Sequence, residues 1–341
     1  MSPIDIESGP GIGLAAAVSA LRAAAEETRL RILLLLREGE LSVSDLTDIL
    51  GQSQPRISRH LKVLVEAGLV ARHREGAWAF FRLAEGAASG SVQGLLGALD
   101  RDDIRVAEDR ERLAAVRARR SEAAQAFFAR LAPRWDEIRS LHVAEEAVEA
   151  AILEVVGPAS LRSLLDLGTG TGRMLRLLAP QAQRAVGLDG SHAMLSVARA
   201  SLARGGLHRV ELRQGDLYAP PFPRGGFDLV VMHQVLHYLD DPARALAAAA
   251  RLLAPGGRLL IVDFAPHGIE ALRETQAHRR LGFASEQVRG WLEEAGLEAE
   301  ISRDLPPPAR PGAGQLTVSL WLGRDRRPAD LSETAPSREV A

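Results

Sequence analysis

The chain of 341 residues contains no cysteine. That excludes disulfides, cysteine-ligated zinc, iron–sulfur clusters and cysteine nucleophiles together. Lysine is nearly missing as well: Lys62 is the only one, and arginine carries the remaining positive charge. Alongside abundant alanine this reads as a GC-rich coding bias, without functional meaning. No stretch of about 20 uninterrupted apolar residues is present, so no helical membrane span and no membrane partner are expected. The opening MSPIDIESGPG is acidic where a signal peptide is basic, and the expected compartment is the cytoplasm. The net charge of −2 argues neither for nor against nucleic acid. What is there is an ordinary globular composition, 46% hydrophobic and 25% charged. At roughly 150 residues per domain, the length suggests two domains.

Residues 1–13 are rich in Gly, Pro and Ser. From Leu14 to Arg37 apolar residues recur at helical spacing, and Gly39 follows as a stop. Ser44 is the expected cap of a short helix, Asp45–Leu50. Gly51 breaks it, and Gln52-Ser53-Gln54 leads into a second helix, Pro55–Ala67, where proline is tolerated in the first turn. Leu69–His73 and Ala77–Leu83 read as strands joined by Arg74-Glu75-Gly76. Helix, helix–turn–helix, hairpin is the order of a winged helix. Residues 91–121 read as one long amphipathic helix, and Ala123–Ser140 and Val143–Val156 as two more.

From Leu161 the texture changes. Apolar runs at Ser163–Asp166, Arg184–Asp189, Val210–Gln214, Asp228–Met232 and Arg258–Phe264 alternate with helical patterns. Such alternation predicts a parallel sheet covered on both faces. Ile301 with its neighbours and Leu316–Leu322 suggest a terminal strand pair. The polar residues from about Arg324 are expected to be disordered. The fold class expected is α/β, a mostly helical winged helix-turn-helix followed by a doubly wound, Rossmann-like sheet.

Two constellations carry chemistry. Between Gln54 and Arg82 six basic residues (Arg56, Arg59, Lys62, Arg72, Arg74, Arg82) stand against two acidic ones, Glu66 and Glu75. Alone, that charge also suits a solvated helix face. On the second helix, Ile57, Leu61, Leu64 and Val65 form an apolar face. Gln54, Arg56, Ser58, Arg59, His60 and Lys62 lie on or near the other, and glutamine and arginine read base edges bidentately. Arg72 and Arg74 sit where a wing meets phosphate. Glu27–Leu83, with TRLRILLLL, SQPRISRHLKVL and AGLVARHREG, resembles the ArsR-type winged-helix repressors along its full length. The resemblance implies major-groove reading of double-stranded operator DNA by a homodimer. It also exposes a departure. Where that family often carries a Cys-x-Cys metal sensor this chain has Ser42 and Ser44, and a hydroxyl does not replace a thiolate. The family's other site, on the long helix, needs histidine, and residues 91–121 have none.

In the second constellation SLLDLGTGTGR, Gly168, Gly170 and Gly172 follow a strand and open a helix, where glycine lets backbone approach a ligand. A lone glycine-rich turn is a weak signal. Asp189 ends the next strand, where an acid binds ribose hydroxyls, and Asp216 follows the third in RQGDLYAPPF. Singly, Asp166 and Asp189 also suit helix capping. The spacing G-x-G-x-G differs from the G-x-G-x-x-G of dehydrogenases. Together with FDLVVMHQVLHYLDDP and LLAPGGRLLIVDF, the region Ala123–Gly323 resembles the class I S-adenosylmethionine-dependent methyltransferases. The resemblance implies S-adenosylmethionine or S-adenosylhomocysteine as cofactor. It makes Asp166 a cofactor-binding residue and places the Gly168–Gly172 loop against the methionine part, Asp189 at the ribose, Asp216 and Leu217 at the adenine, and His233 and Gln234 beside the methyl group. His233, His237, His267 and His278 follow strand ends. A histidine there can serve as base for a small-molecule methyl acceptor; His233, His267 and His278 are the catalytic candidates. Cleft-wall packing, or a metal held by His267, Glu270 and His278, are the alternatives, and no metal is expected. Trp135 suits either a lid or a core anchor. Without cysteine, arsenite methylation by thiolates is implausible.

The expected divisions are a DNA-binding domain at 14–90, a dimerisation or linker helix at 91–122, a methyltransferase domain at 123–323 and a tail at 324–341. The function expected is a regulator whose methyltransferase domain binds its cofactor as sensor ligand and possible methyl donor. The alternative is an active small-molecule methyltransferase with an accessory DNA-binding domain.

Overall fold

The computed structural model describes residues 12–75, 78–84, 87–100, 103–135, 145–307 and 316–327. The chain divides into two compact units, Met1–Glu122 and Ala123–Ala341.

The first unit is built of α1 (Leu14–Ala24), α2 (Glu27–Arg37), β1 (Leu41–Ser42), α3 (Val43–Leu50), α4 (Gln54–Glu66), β2 (Val70–Glu75), β3 (Trp78–Leu83), α5 (Ala87–Ala98) and the first part of α6 (Ile104–Leu131). β1, β3 and β2 form a small antiparallel sheet in that order. The helix expected over 14–37 is two helices, because the Glu26 side chain accepts from Arg29 N–H and starts a new one. The cap of α3 is Ser42, not Ser44. Ser42 Oγ accepts from Asp45 N–H at 3.2 Å while the Asp45 carboxylate accepts from Ser42 N–H at 3.0 Å. The single helix expected over 91–121 is α5 and α6, and α6 continues to Leu131, through the start of the helix expected at 123–140. Residues 136–144 lie outside the described residues. The core joins Ile32, Leu36, Leu46, Ile57 and Leu61 to Leu96, Leu113 and Val116. α6 is also tied by charge: Arg31 donates twice to the buried Asp109, each bond 2.7 Å, and Arg120 pairs with Asp45. A carboxylate buried this way needs such a bidentate partner.

The second unit is a seven-stranded sheet in the order β6-β5-β4-β7-β8-β10-β9. Its strands are β4 (Leu161–Leu167), β5 (Ala182–Asp189), β6 (Glu211–Gln214), β7 (Phe227–His233), β8 (Leu253–Phe264), β9 (Leu297–Leu305) and β10 (Val318–Asp325). The first five positions pair parallel, and β10 runs antiparallel between β8 and β9. Two apolar clusters cover the sheet, one around Leu165, Val230, Ile261 and Trp291, the other around Leu164, Val231, Leu260 and Ile152. That explains the unbroken apolar strands. β10 extends to Asp325, past the boundary expected at 324; residues from 328 lie outside the described residues.

Candidate functional site

All parallel strands of the second unit end at one edge of the sheet, where a doubly wound fold collects its ligand groups. After β4 the chain turns through Gly168, Gly170 and Gly172, with φ of 75°, 52° and 81°. These are left-handed values that favour glycine. At Gly168 a side chain is also excluded by space, since a Cβ would lie 2.5 Å from Val235 Cγ2. Gly168 and Thr169 N–H donate to Leu188 O at 2.8 and 3.0 Å, which pins the loop to the end of β5.

Asp189, the last residue of β5, accepts from Gly170 N–H and Ser191 N–H, both at 2.8 Å. Burial pushes its carboxyl up, against the pull of those two donors. Asp166 is buried, and one oxygen accepts from the Thr169 hydroxyl at 2.6 Å while the other, Oδ1, has no partner. Burial, with Asp189 nearby, pushes its carboxyl up to about 7. Asp216 is exposed two residues past β6 and accepts from Tyr218 N–H at 2.9 Å; Leu217 beside it is half-buried against the core. His233 closes β7, half-buried. Gln234 is buried with φ of 50°, a rare value for a side-chain-bearing residue, and its Nε2 has no partner. The loop is thus bonded directly to Asp189, and Asp189 O in turn accepts from the N–H of Gly215, the residue before Asp216, at 3.1 Å.

Of the histidines, the structure gathers His267 and His278 around Phe264, at ring distances of 6.0 and 5.8 Å. Burial, with His237 close by, lowers His267 to about 4, so it is neutral over the ordinary pH range. His278 is buried and lies 4.2 Å from the ring of His237. His237 is the residue that sequence reasoning undervalued: its Nδ1 is 2.7 Å from Asp263 Oδ1, and both side chains are buried. The signal for Asp263 was present, as the one acid inside the apolar run LLIVDF. Glu270 pairs with Arg273 at 3.1 Å, and among the described residues no group of three His, Asp or Glu side chains is placed to hold a metal. Trp135 meets Phe128 edge-on at 5.3 Å, and Phe128 meets Tyr238 at 4.9 Å.

In the first unit, Gln54, Arg56, Ser58, Arg59 and Lys62 are all exposed on α4, and Ile57, Leu61 and Leu64 are buried beneath them. His60 departs from this face. Its Nδ1 lies 3.4 Å from the Glu26 carboxylate and its side chain is 15% exposed. Arg72 is exposed on β2, while the side chain of Arg74 lies outside the described residues.

Comparison with known proteins agrees with both constellations. Residues 26–72 match the model of the bacterial regulatory protein arsR family, and residues 165–261 that of a methyltransferase domain. The chain is 34% identical over 144 residues to a demethylmenaquinone methyltransferase of Thermus thermophilus, covering 41% of this chain and 65% of that one. It is 35% identical to a 2-phytyl-1,4-naphtoquinone methyltransferase of Thermosynechococcus vestitus, covering 45% and 69%. It is 30% identical to a 27-O-demethylrifamycin SV methyltransferase of Amycolatopsis mediterranei, covering 52% and 69%. In another relative the matched stretch is only 34% of its length.

Proposed function

Because this chain belongs to the S-adenosylmethionine-dependent methyltransferases and carries an ArsR-type helix-turn-helix ahead of that domain, we propose that it is a DNA-binding regulator whose methyltransferase unit is both its sensor and a small-molecule methyltransferase. The observation that carries the reading is a pair of sites without a metal-binding thiol. One unit presents a row of polar and basic side chains on α4. The other holds unpaired buried polar atoms, Asp166 Oδ1 and Gln234 Nε2, at the strand ends. Ser42, at the place of a sensor cysteine in related repressors, is committed to capping α3. A regulator without its usual input needs another, and the cofactor pocket supplies one.

S-adenosylmethionine fits that pocket. Gly168–Gly172 would lie against its methionine part with Asp166, Asp189 would hold the ribose, Asp216 and Leu217 would border the adenine, and His233 and Gln234 the methyl side. The bound cofactor supplies an activated methyl group; the protein's part is orientation and exclusion of water. The relatives' printed substrates, quinones and a rifamycin, suggest a ring-bearing acceptor. Leu14, Val18 and Leu21, exposed at helical spacing on α1, give a second copy an apolar stripe to cover, which supports a homodimer reading two half-sites in the cytoplasm.

The test joins ligand and DNA. Either sulfur ligand at 100 times its dissociation constant should stabilise the protein by about 2.7 kcal/mol, with Asp189→Ala abolishing the effect and NAD giving none. Operator affinity should then shift by about 1–3 kcal/mol when the ligand is added without any acceptor. Stabilisation with superimposable DNA titrations would leave a methyltransferase tethered to DNA and remove the sensor. Absence of stabilisation at millimolar ligand would remove the cofactor site as well.

A further inference from the structure

Asp263 is the penultimate residue of β8 and has no exposed surface. Its carboxylate accepts from the backbone N–H groups of Leu236, His237 and Phe264, at 3.0, 3.4 and 2.8 Å, and lies 2.7 Å from His237 Nδ1. A carboxylate ringed by donors can only accept, so in the neutral imidazole Nδ1 carries the proton and Nε2 the lone pair. That Nε2 is buried and has no hydrogen-bond partner. An unpaired buried acceptor is costly and rare in a finished core; it marks a place kept for another molecule. His267 is the complement. Its Nδ1 accepts from Ile269 N–H at 3.3 Å, so its proton sits on Nε2, which is also buried without a partner. One open acceptor and one open donor thus flank the same ring, Phe264, at 5.0 and 6.0 Å.

The surroundings are flat and aromatic. The His237 ring lies 4.0 Å from Tyr238, which meets Phe128 edge-on at 4.9 Å and Trp135 at 6.2 Å. The connection after β8 is fastened over this cluster: His267 N–H donates to Leu281 O at 2.9 Å, and Arg279 and Arg280 N–H donate to His237 O at 2.9 and 3.1 Å. The dyad is therefore set before any acceptor arrives, as efficient proton transfer requires.

We propose that His237 is the catalytic base of this unit, that Asp263 is its positioning residue, and that the methyl acceptor is a hydroxylated aromatic ring. This rests on the methyltransferase reading above. The acceptor's oxygen–carbon bond forms as the methyl–sulfur bond breaks, and that bond's electron pair stays on sulfur, leaving a neutral thioether. The hydroxyl proton passes to His237 Nε2, while the Nδ1 proton stays on the imidazole, held by Asp263. His267 Nε2–H donates to an oxygen of the same ring system.

The experiment uses the full chain with S-adenosylhomocysteine bound, labelled with 15N at histidine. Phenol and 1-naphthol should move the His237 Nε2 resonance and naphthalene should not. Asp263→Asn should change the tautomer pattern of His237 in the free protein, which a purely structural carboxylate elsewhere in the core would leave alone. With S-adenosylmethionine, His237→Gln should lower kcat toward 1-naphthol by about 100- to 10,000-fold with little change in KM. The wild-type spectra test the idea without any variant having to fold. An Nε2 resonance unmoved by both hydroxylated probes, or moved equally by naphthalene, overturns the proposal while leaving cofactor binding standing. Failure to bind S-adenosylhomocysteine would strike the methyltransferase reading itself.

Discussion

The two units keep their functional groups in opposite places. In the first, the groups that would meet DNA stand outside on α4, and the buried carboxylates of the unit are paired: Ser42 and Asp45 cap each other, and Arg31 donates twice to Asp109. In the second, the candidate groups other than the exposed Asp216 are inside or half-buried, and several are left open, among them Asp166 Oδ1, Gln234 Nε2 and His237 Nε2. The difference follows from the partners. A DNA duplex is larger than the domain and must be met on a surface, where charge and hydrogen-bonding ends stay hydrated until contact. A small cofactor is surrounded, and burial makes each hydrogen bond to it stronger while making the empty site expensive.

Four substitutions break or sharpen this contrast. The largest effect is expected at Gly282, which has φ of 86° and where a Cβ would run into the carbonyl of Ala265. Gly282→Ala should cost more than about 3 kcal/mol, because the loop over the histidine cluster has no room to yield. Thermal unfolding reads the loss, and ligand stabilisation should fall with it while operator binding persists. Loss of both together would contradict the separation of the sites.

On the outer surface the effects are smaller and divide by contact type. Arg56→Ala should reduce discrimination between operator and mismatched DNA by about 1–3 kcal/mol, whereas Arg72→Ala should weaken all sequences alike and lower the salt slope by about 1. Titrations at several salt concentrations separate the two. Equal behaviour of the variants would mean that α4 positions the protein rather than reads bases.

The smallest effect depends on pH. Asp166 has its carboxyl raised to about 7 in the folded protein from 3.8. Between those values the folded state holds a proton that the unfolded chain has released, so this residue's contribution to stability declines as pH rises from about 4 through about 7. Asp166→Asn keeps an acceptor for Thr169 and cannot ionise. The variant should melt at the wild-type temperature near pH 4 and above it at pH 8, while binding the cofactor more weakly. A difference that does not change with pH would assign Asp166 a packing role only.

Much of this was legible in order of residues. The winged helix follows from local signals: apolar spacing on α4, Pro55 in its first turn, Gly39 and Gly51 as stops. The side chains exposed on α4 are local as well, because a helix face is set by sequence spacing alone. His60 is the exception, since its neighbour Glu26 comes from another helix. The boundaries at Glu26 and Ser42 were also missed, because several residues there can cap a helix and only the packed chain selects among them. In the second unit the alternation of apolar runs gave the parallel sheet, and the G-x-G-x-G pattern gave the left-handed turn that Asp189 holds.

The amino-acid sequence by itself determined the two folds, their order along the chain, the exposed polar face of α4 and the glycines of the left-handed turn after β4, since each depends on neighbours within a few residues or on a strand's period. Only the tertiary structure decided which histidine has a partner. His237 and Asp263 are 26 residues apart on different elements, and their 2.7 Å contact exists because β7 and β8 run side by side and end together. The same packing excludes water from Nε2 and from Gln234, and it is that exclusion, rather than the identity of either residue, that turns a polar side chain into a site.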